Sequence, residues 1–238
     1  MGTSNSYQGK KTNKKKNLKN LDYVSWTKAK SLMSKHLTSN GKIGKPKDII
    51  NNYIKASGYP TNYIKSTNQN IETLTRFSTL LTSIQDTNLI EAFNSLGISV
   101  SNISFEVVLS KLINSIFPQG ATKKDAAVRH ALVHTLNKHS NFGINNLKDF
   151  ENITSEQIEE LLIDLSTELI WQNMMIDYGF SFEKYGQNFS TTKALEKIIL
   201  EYINSNVRNE FIENKSLFID KLTIKNIYKE IIRDLELK

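Results

Sequence analysis

An all-α fold is what this sequence predicts: an irregular bundle of roughly eight helices behind a flexible basic N-terminal tail. Three observations carry that reading. After residue 20, apolar residues recur at three- and four-residue spacing through nearly the whole chain, the period of a one-sided helix. Only 10 Gly and 3 Pro (Pro46, Pro60 and Pro118) punctuate 238 residues. An all-β chain needs a turn signal roughly every 8–12 residues, which this sequence does not supply. The single alternating stretch, GISVSNIS (97–104), is too short to build a sheet.

Residues 1–20, MGTSNSYQGKKTNKKKNLKN, hold six Lys and no acid, and beyond Met1 only Tyr7 and Leu18 could pack. Such a segment cannot bury enough apolar surface to offset its ordering entropy, so it reads as a flexible tail. From Asp22 to about Leu37 the pattern turns helical, with Val24, Ala29, Leu32 and Met33 near one face and Trp26 as an anchor. SNGKIGK (39–45) reads as a loop, and Pro46 suits the first turn of a helix carrying Ile49, Ile50, Tyr53 and Ile54 as far as Gly58. YPTNYIKSTNQN (59–70) reads as a second loop. Ile71, Leu74, Phe77, Leu80, Leu81 and Ile84 predict the next helix, and Leu89, Ile90, Phe93 and Leu96 a short one stopped by Gly97.

In the second half, Phe105, Val108, Leu109, Leu112 and Ile116 form one stripe, ended by Pro118 and Gly120. Thr122 can cap a helix to about Lys138, with Asp125 in its first turn. Residues 142–153 read as a connection. Thr154-Ser-Glu-Gln157 has the pattern of a capping box ahead of Ile158, Leu161, Leu162, Leu165, Leu169, Trp171, Met174 and Met175, with Gly179 as the expected C-terminal cap. Helices from about Thr191 to Phe211 and from Ile224 to Leu235 complete the set. The expected organisation is a tail (1–20), an N-terminal helical subdomain (21–100) and a C-terminal helical subdomain packed on it (101–238).

The charge is uneven. Residues 1–50 hold 12 Lys against Asp22 and Asp48, a net of +10; residues 51–238 hold 19 basic and 22 acidic residues, a net of −3, giving the overall +7. A basic arm of this kind suits phosphates or an acidic partner. With 27 Lys to 4 Arg, beside 26 Asn and 27 Ile, the bias resembles that of an AT-rich genome more than an Arg-based nucleic-acid reader. Zero Cys excludes disulfides, thiol catalysis and Cys-based metal sites. No run reaches the roughly 18 apolar residues of a membrane span, so no membrane partner is expected. The N-terminus has no apolar signal core, which makes a cytoplasmic location the expectation. Neither GxGxxG nor a P-loop nor GxSxG occurs.

Three clusters could carry chemistry. His130 and His134 are four apart, so they share a helix face and could both reach a metal. The segment reads HALVH, however, without the intervening base of a zinc protease. The core side of that helix is Val128, Ala131, Leu132 and Leu136, which leaves the pair on a solvated or partner-facing side; neither a metal nor another cofactor is expected. Glu156, Glu159, Glu160, Asp164 and Glu168 fall at three- and four-residue spacing and read as a solvated acidic face near a helix start. Trp171, Met174 and Met175 read as core. No nucleophile–base pairing emerges, so an independent enzyme is not expected.

The opening Met1-Gly2-Thr3-Ser4-Asn5-Ser6 is the remaining feature. A small second residue favours removal of the initiator Met, which leaves a free glycine amine. The sequence resembles the QatB family, an accessory component of the Qat anti-phage defence systems of bacteria. The likeness lies in MGTSNSYQG (1–9), in SWTKAKSLMSKH with IINNYIKASGY (25–59), and in FPQGATKKDAAVRHAL (117–132) with LKDFENITSEQIEELLIDLSTELIWQNMMIDYG (147–179). It departs from the family in having a short Lys/Asn tail where members often carry a long Pro/Gly-rich linker.

The resemblance implies a non-catalytic partner of QatC, an enzyme similar to the ATP-using 7-cyano-7-deazaguanine (QueC-like) synthases. The same systems contain an ATPase and a TatD-like nuclease as further partners. On this reading the helical body docks on QatC, and Gly2, Thr3, Ser4 and Ser6 enter its active site. The Gly2 amine would there accept a deazaguanine-type group at the expense of ATP. A plain adaptor without modification is the next reading, followed by a nucleic-acid-binding module that uses the Lys tail.

Overall fold

The computed structural model describes residues 24–100, 104–117, 120, 122–140, 147–186, 188–214 and 221–237. Among them there are eleven helices and no strand, so the all-α bundle expected from sequence is what the chain forms. In chain order they are α1 (Trp26–Thr38), α2 (Pro46–Ala56), α3 (Tyr59–Ser66), α4 (Asn68–Asp86), α5 (Leu89–Ser95), α6 (Phe105–Ile116), α7 (Lys123–Ser140), α8 (Leu147–Glu151), α9 (Ser155–Tyr185), α10 (Phe189–Glu213) and α11 (Lys221–Leu237).

Helix starts follow local chemistry. The side chains of Ser25, Asn88, Ser104, Thr154 and Asn188 each accept a backbone N–H of the first turn, satisfying a donor that has no intrahelical partner. At Thr154 the capping box is complete, because the Gln157 side chain accepts the Thr154 N–H in return.

Three stretches differ from the sequence expectation. Residues 59–66 are the helix α3, not a loop. Gly58 turns the chain at φ 91°, a left-handed conformation that suits glycine, and Pro60 sits in the first turn. Tyr63 and Ile64 then bury one face, and α4 follows directly, with Asn70 buried in its first turn. Nor does Gly179 end α9: the helix continues another six residues to Tyr185 and stops at Gly186. A side chain at Gly179 would meet nothing within 4 Å, so its position inside the helix serves no close packing. The connection after α7 also contains the short helix α8.

The long α9 is the spine, packed by α1, α4, α7 and α10. Ile158, Leu161, Leu162, Leu165, Leu169, Trp171, Met174 and Tyr178 of α9 are all buried. The last helix, α11, returns to pack on α2, α3, α4 and α10, so a single buried core joins the two halves of the chain. Where α2, α3, α9 and α11 meet, Tyr53 lies with its ring centroid 5.8 Å from Tyr63 and 5.5 Å from Tyr178. Tyr228 of α11 accepts a 2.7 Å hydrogen bond from Asn70, and Tyr53 donates to Asp177 at 3.3 Å. Buried aromatic hydroxyls with partners of this kind hold orientation as well as area.

Gly120 marks a close approach. A Cβ there would run into the Asp125 carboxylate, which reaches back over the start of α7 to accept the Thr122 N–H at 2.9 Å and a Gln69 side-chain donor at 2.8 Å.

Candidate functional site

A polar cleft of about 750 Å³ opens between α7, α9 and α10. Its floor is a stripe of α9 residues four apart, Glu160, Asp164 and Glu168, which the helical period stacks one turn above another. Each carboxylate meets a nitrogen-bearing side chain from a flanking helix. Arg208 of α10 donates from both terminal nitrogens to Glu160, one of the two contacts at 2.7 Å. Lys138 of α7 donates to Asp164 at 2.8 Å. The His134 Nδ1 lies 3.0 Å from Glu168. Asn204 of α10 bridges the middle of the row, donating to Asp164 at 3.4 Å and to Thr167 at 3.3 Å.

The electrostatics follow burial. Glu168 is buried, and desolvation raises its carboxyl above the ordinary glutamate value. The charge of His134, the Gln172 amide, His130 and Lys138 all pull the other way without cancelling it. Arg208 is held above its ordinary value, first by its hydrogen bond to Glu160 and then by the neighbouring acids. His130 and His134 stack on the exposed side of α7, their rings 6.3 Å apart and nearly parallel.

These positions correct one sequence expectation and support two others. The acidic run is solvated only at its start: Glu156 is exposed and Glu159 and Glu160 are half-buried, whereas Asp164 and Glu168 are buried under α7 and α10. His130 and His134 are on the exposed side of α7, opposite Val128, Ala131, Leu132 and Leu136 as expected, and His134 is engaged by Glu168. Trp171 and Met174 are core, and Met175 packs partly buried against it. Gly2, Thr3, Ser4 and Ser6 lie outside the described residues.

Sequence reasoning missed Lys138, Arg208 and Asn204 as members of one site. A signal for two of the contacts was present: His134 and Lys138 are four apart on one helix, while Asp164 and Glu168 are four apart on the next packed helix. Antiparallel packing then pairs 134 with 168 and 138 with 164. Chemically, the row ties three helices together and leaves one half-exposed imidazole at its end. Among the described residues no group of three or more His, Asp or Glu side chains is placed to hold a metal. No helix of the described residues is long and apolar enough to cross a membrane.

Comparison with known proteins adds one match. The family model described as Qat anti-phage system associated protein QatB matches residues 61–235. No curated protein and no solved structure matches the chain.

Proposed function

The chain belongs to the QatB family of Qat anti-phage system associated proteins, and from that premise we propose that it is a non-catalytic member of the defence complex. Its helical body docks on a QatC-like enzyme, and its leading segment delivers the Gly2 amine to that enzyme's active site. Thr3, Ser4 and Ser6 contact the entry. The amine is the nucleophile of an ATP-dependent transfer. A carboxyl of the deazaguanine-type group is first activated as an acyl adenylate with release of pyrophosphate. The neutral Gly2 nitrogen then adds to the acyl carbon, AMP leaves, an amide forms and the amine proton passes to solvent.

The family match is the observation that carries this reading, and two features of the chain support it. Gly2, Thr3 and Ser4 are small enough to thread a narrow pocket. In the body, Arg208, Lys138 and His134 of the α7–α9–α10 cleft are each engaged by a carboxylate, which suits struts between helices better than groups free to move a proton to a substrate. Docking would hold the leading segment at an effective concentration of about millimolar at the enzyme.

The test is coexpression with the QatC-like partner, copurification, and intact and peptide mass of this chain. The expected result is a stable complex and a mass gain confined to the N-terminal peptide that needs the partner and ATP. A stable complex with an unmodified Gly2 overturns the transfer and leaves the plain adaptor. No complex overturns both.

A further inference from the structure

Three exposed aromatic rings share one local pattern. Trp26, Phe180 and Phe189 are 36%, 67% and 74% exposed, and each is followed four residues later by a lysine that lies over its ring. Lys30 is 5.9 Å from the Trp26 centroid, Lys184 is 5.6 Å from Phe180, and Lys193 is 5.3 Å from Phe189. The (i, i+4) spacing places each pair on one helix face, and the lysine stem covers part of the ring while its charge stays in water.

The three pairs follow one seam. α1 lies along the second half of α9: Ser34 donates to Ser181 at 3.5 Å, and the charge of Lys30 acts on Asp177. At the far end, Asn40 accepts from Asn188 at 3.0 Å and from Thr191 at 3.3 Å, which fastens the end of α1 to the start of α10. Residues 26–45 hold five lysines and no acid. The seam therefore carries large exposed rings, the residue type that anchors protein interfaces, each beside its own lysine. The lysine excess lies in residues 26–45, since residues 177–197 hold Asp177, Glu183 and Glu196 against Lys184, Lys193 and Lys197.

Resting on the docking reading above, we infer that this α1–α9–α10 strip is the face that seats the QatC-like enzyme, against a surface with apolar pockets rimmed by carboxylates. Position favours that occupant. The leading segment joins the body at Val24, two residues before Trp26, the first ring of the strip. α1 spans about 20 Å at 1.5 Å per residue, so an enzyme seated along the strip stands beside the root of the leading segment. From Gly2 to Val24 the chain can reach at most about 75 Å when extended, enough to return to an active site on a partner docked anywhere along the strip.

The experiment titrates the full chain against the purified QatC-like enzyme, with Phe180→Ala/Phe189→Ala and Lys30→Glu/Lys184→Glu/Lys193→Glu beside wild type. All the substituted side chains are exposed or on the rim, and thermal melts confirm folding. The expected result is a loss of about thirtyfold or more for the double alanine variant, the fold-change of one interface hot spot. The charge-reversed variant associates more slowly, with a reduced dependence on salt. Adding Trp26→Ala deepens the loss. Wild-type binding with both variants within threefold overturns the strip as the docking face and leaves the partner reading standing. Failure of the wild-type chain to bind overturns the partner reading itself.

Discussion

Lys138→Met tests whether the cleft's charged row holds the helices together. The substitution removes the ammonium and keeps most of the aliphatic stem. The pair is asymmetric: the Lys138 side chain is 43% exposed, whereas that of Asp164 is 8% exposed. A fully exposed pair contributes about 0.2–1 kcal/mol, and stripping the partner from a fully buried charge costs about 3–5 kcal/mol. With one end buried and one half in water, the expected cost is about 2 kcal/mol. For a chain of this size that lowers Tm by about 4–8 °C. Arg208→Met is the internal comparison. Both members of its pair are about 40% exposed, so it costs about 1 kcal/mol or less despite its two hydrogen bonds. Thermal and urea denaturation followed at 222 nm read both values. Raising salt to about 0.5 M shrinks the Arg208 effect more than the Lys138 effect, because buried charge is screened less. Lys138→Met/Asp164→Asn recovers about 1 kcal/mol of the single-variant loss, since the neutral amide no longer needs a cation. The reasoning is refuted if Lys138→Met lies within about 0.5 kcal/mol of wild type, or if Arg208→Met costs more.

Two carboxylates should give opposite pH signatures. Glu168 has a raised folded-state pKa, so the folded state holds its proton more tightly than the unfolded chain does. Its contribution falls as pH rises from the ordinary glutamate value through the raised one. The stability of wild type minus that of Glu168→Gln should therefore decline across that window in denaturant titrations at stepped pH. Asp125 is held below its ordinary value by the Thr122 hydroxyl, the Thr122 N–H and Gln69. Its contribution is present above the ordinary aspartate value and lost as pH falls through the depressed one, so Asp125→Asn should be costly at neutral pH and nearly silent in strong acid. Gly58→Ala should cost about 1–2 kcal/mol by urea denaturation, because φ 91° is strained for alanine and its Cβ would lie 2.8 Å from the Asn62 amide nitrogen. Phe77→Ala, at a fully buried site of α4, should cost about 3–5 kcal/mol by the same measurement.

The fold was legible where helical periodicity was long. Ile158 to Leu169 repeats too regularly to be anything but a packed helix, and the Thr154 cap marks its start. Punctuation misled where tertiary packing outweighed local preference. Gly58, Pro60 and the asparagines of 62–70 have loop composition, yet Tyr63 and Ile64 bury against the core and keep the segment helical. Gly179 is a poor helix former, but the packing around Tyr178 and Ser181 carries α9 past it. The cleft was half legible. Spacing placed Glu160, Asp164 and Glu168 on one face, but it could not say that α7 and α10 would close over that face. A burial state is set by neighbours, and one strand of sequence records only its own period. Arg208 was invisible for the same reason, since it lies 48 residues from the glutamate it holds. The aromatic–lysine pairs were readable as spacing, while their exposure was not.

The return of α11 to α2, α3 and α4 has a consequence for biosynthesis. Until residues 221–237 have left the ribosome, the faces carrying Tyr53, Tyr63, Ile71 and Leu74 lack their cover, so these early-made helices wait on α11. A chain stopped short of residue 221 would present that greasy seam to chaperones and proteases. Quality control would therefore meet an unfinished molecule there, and only a chain that carries α11 would have that seam closed.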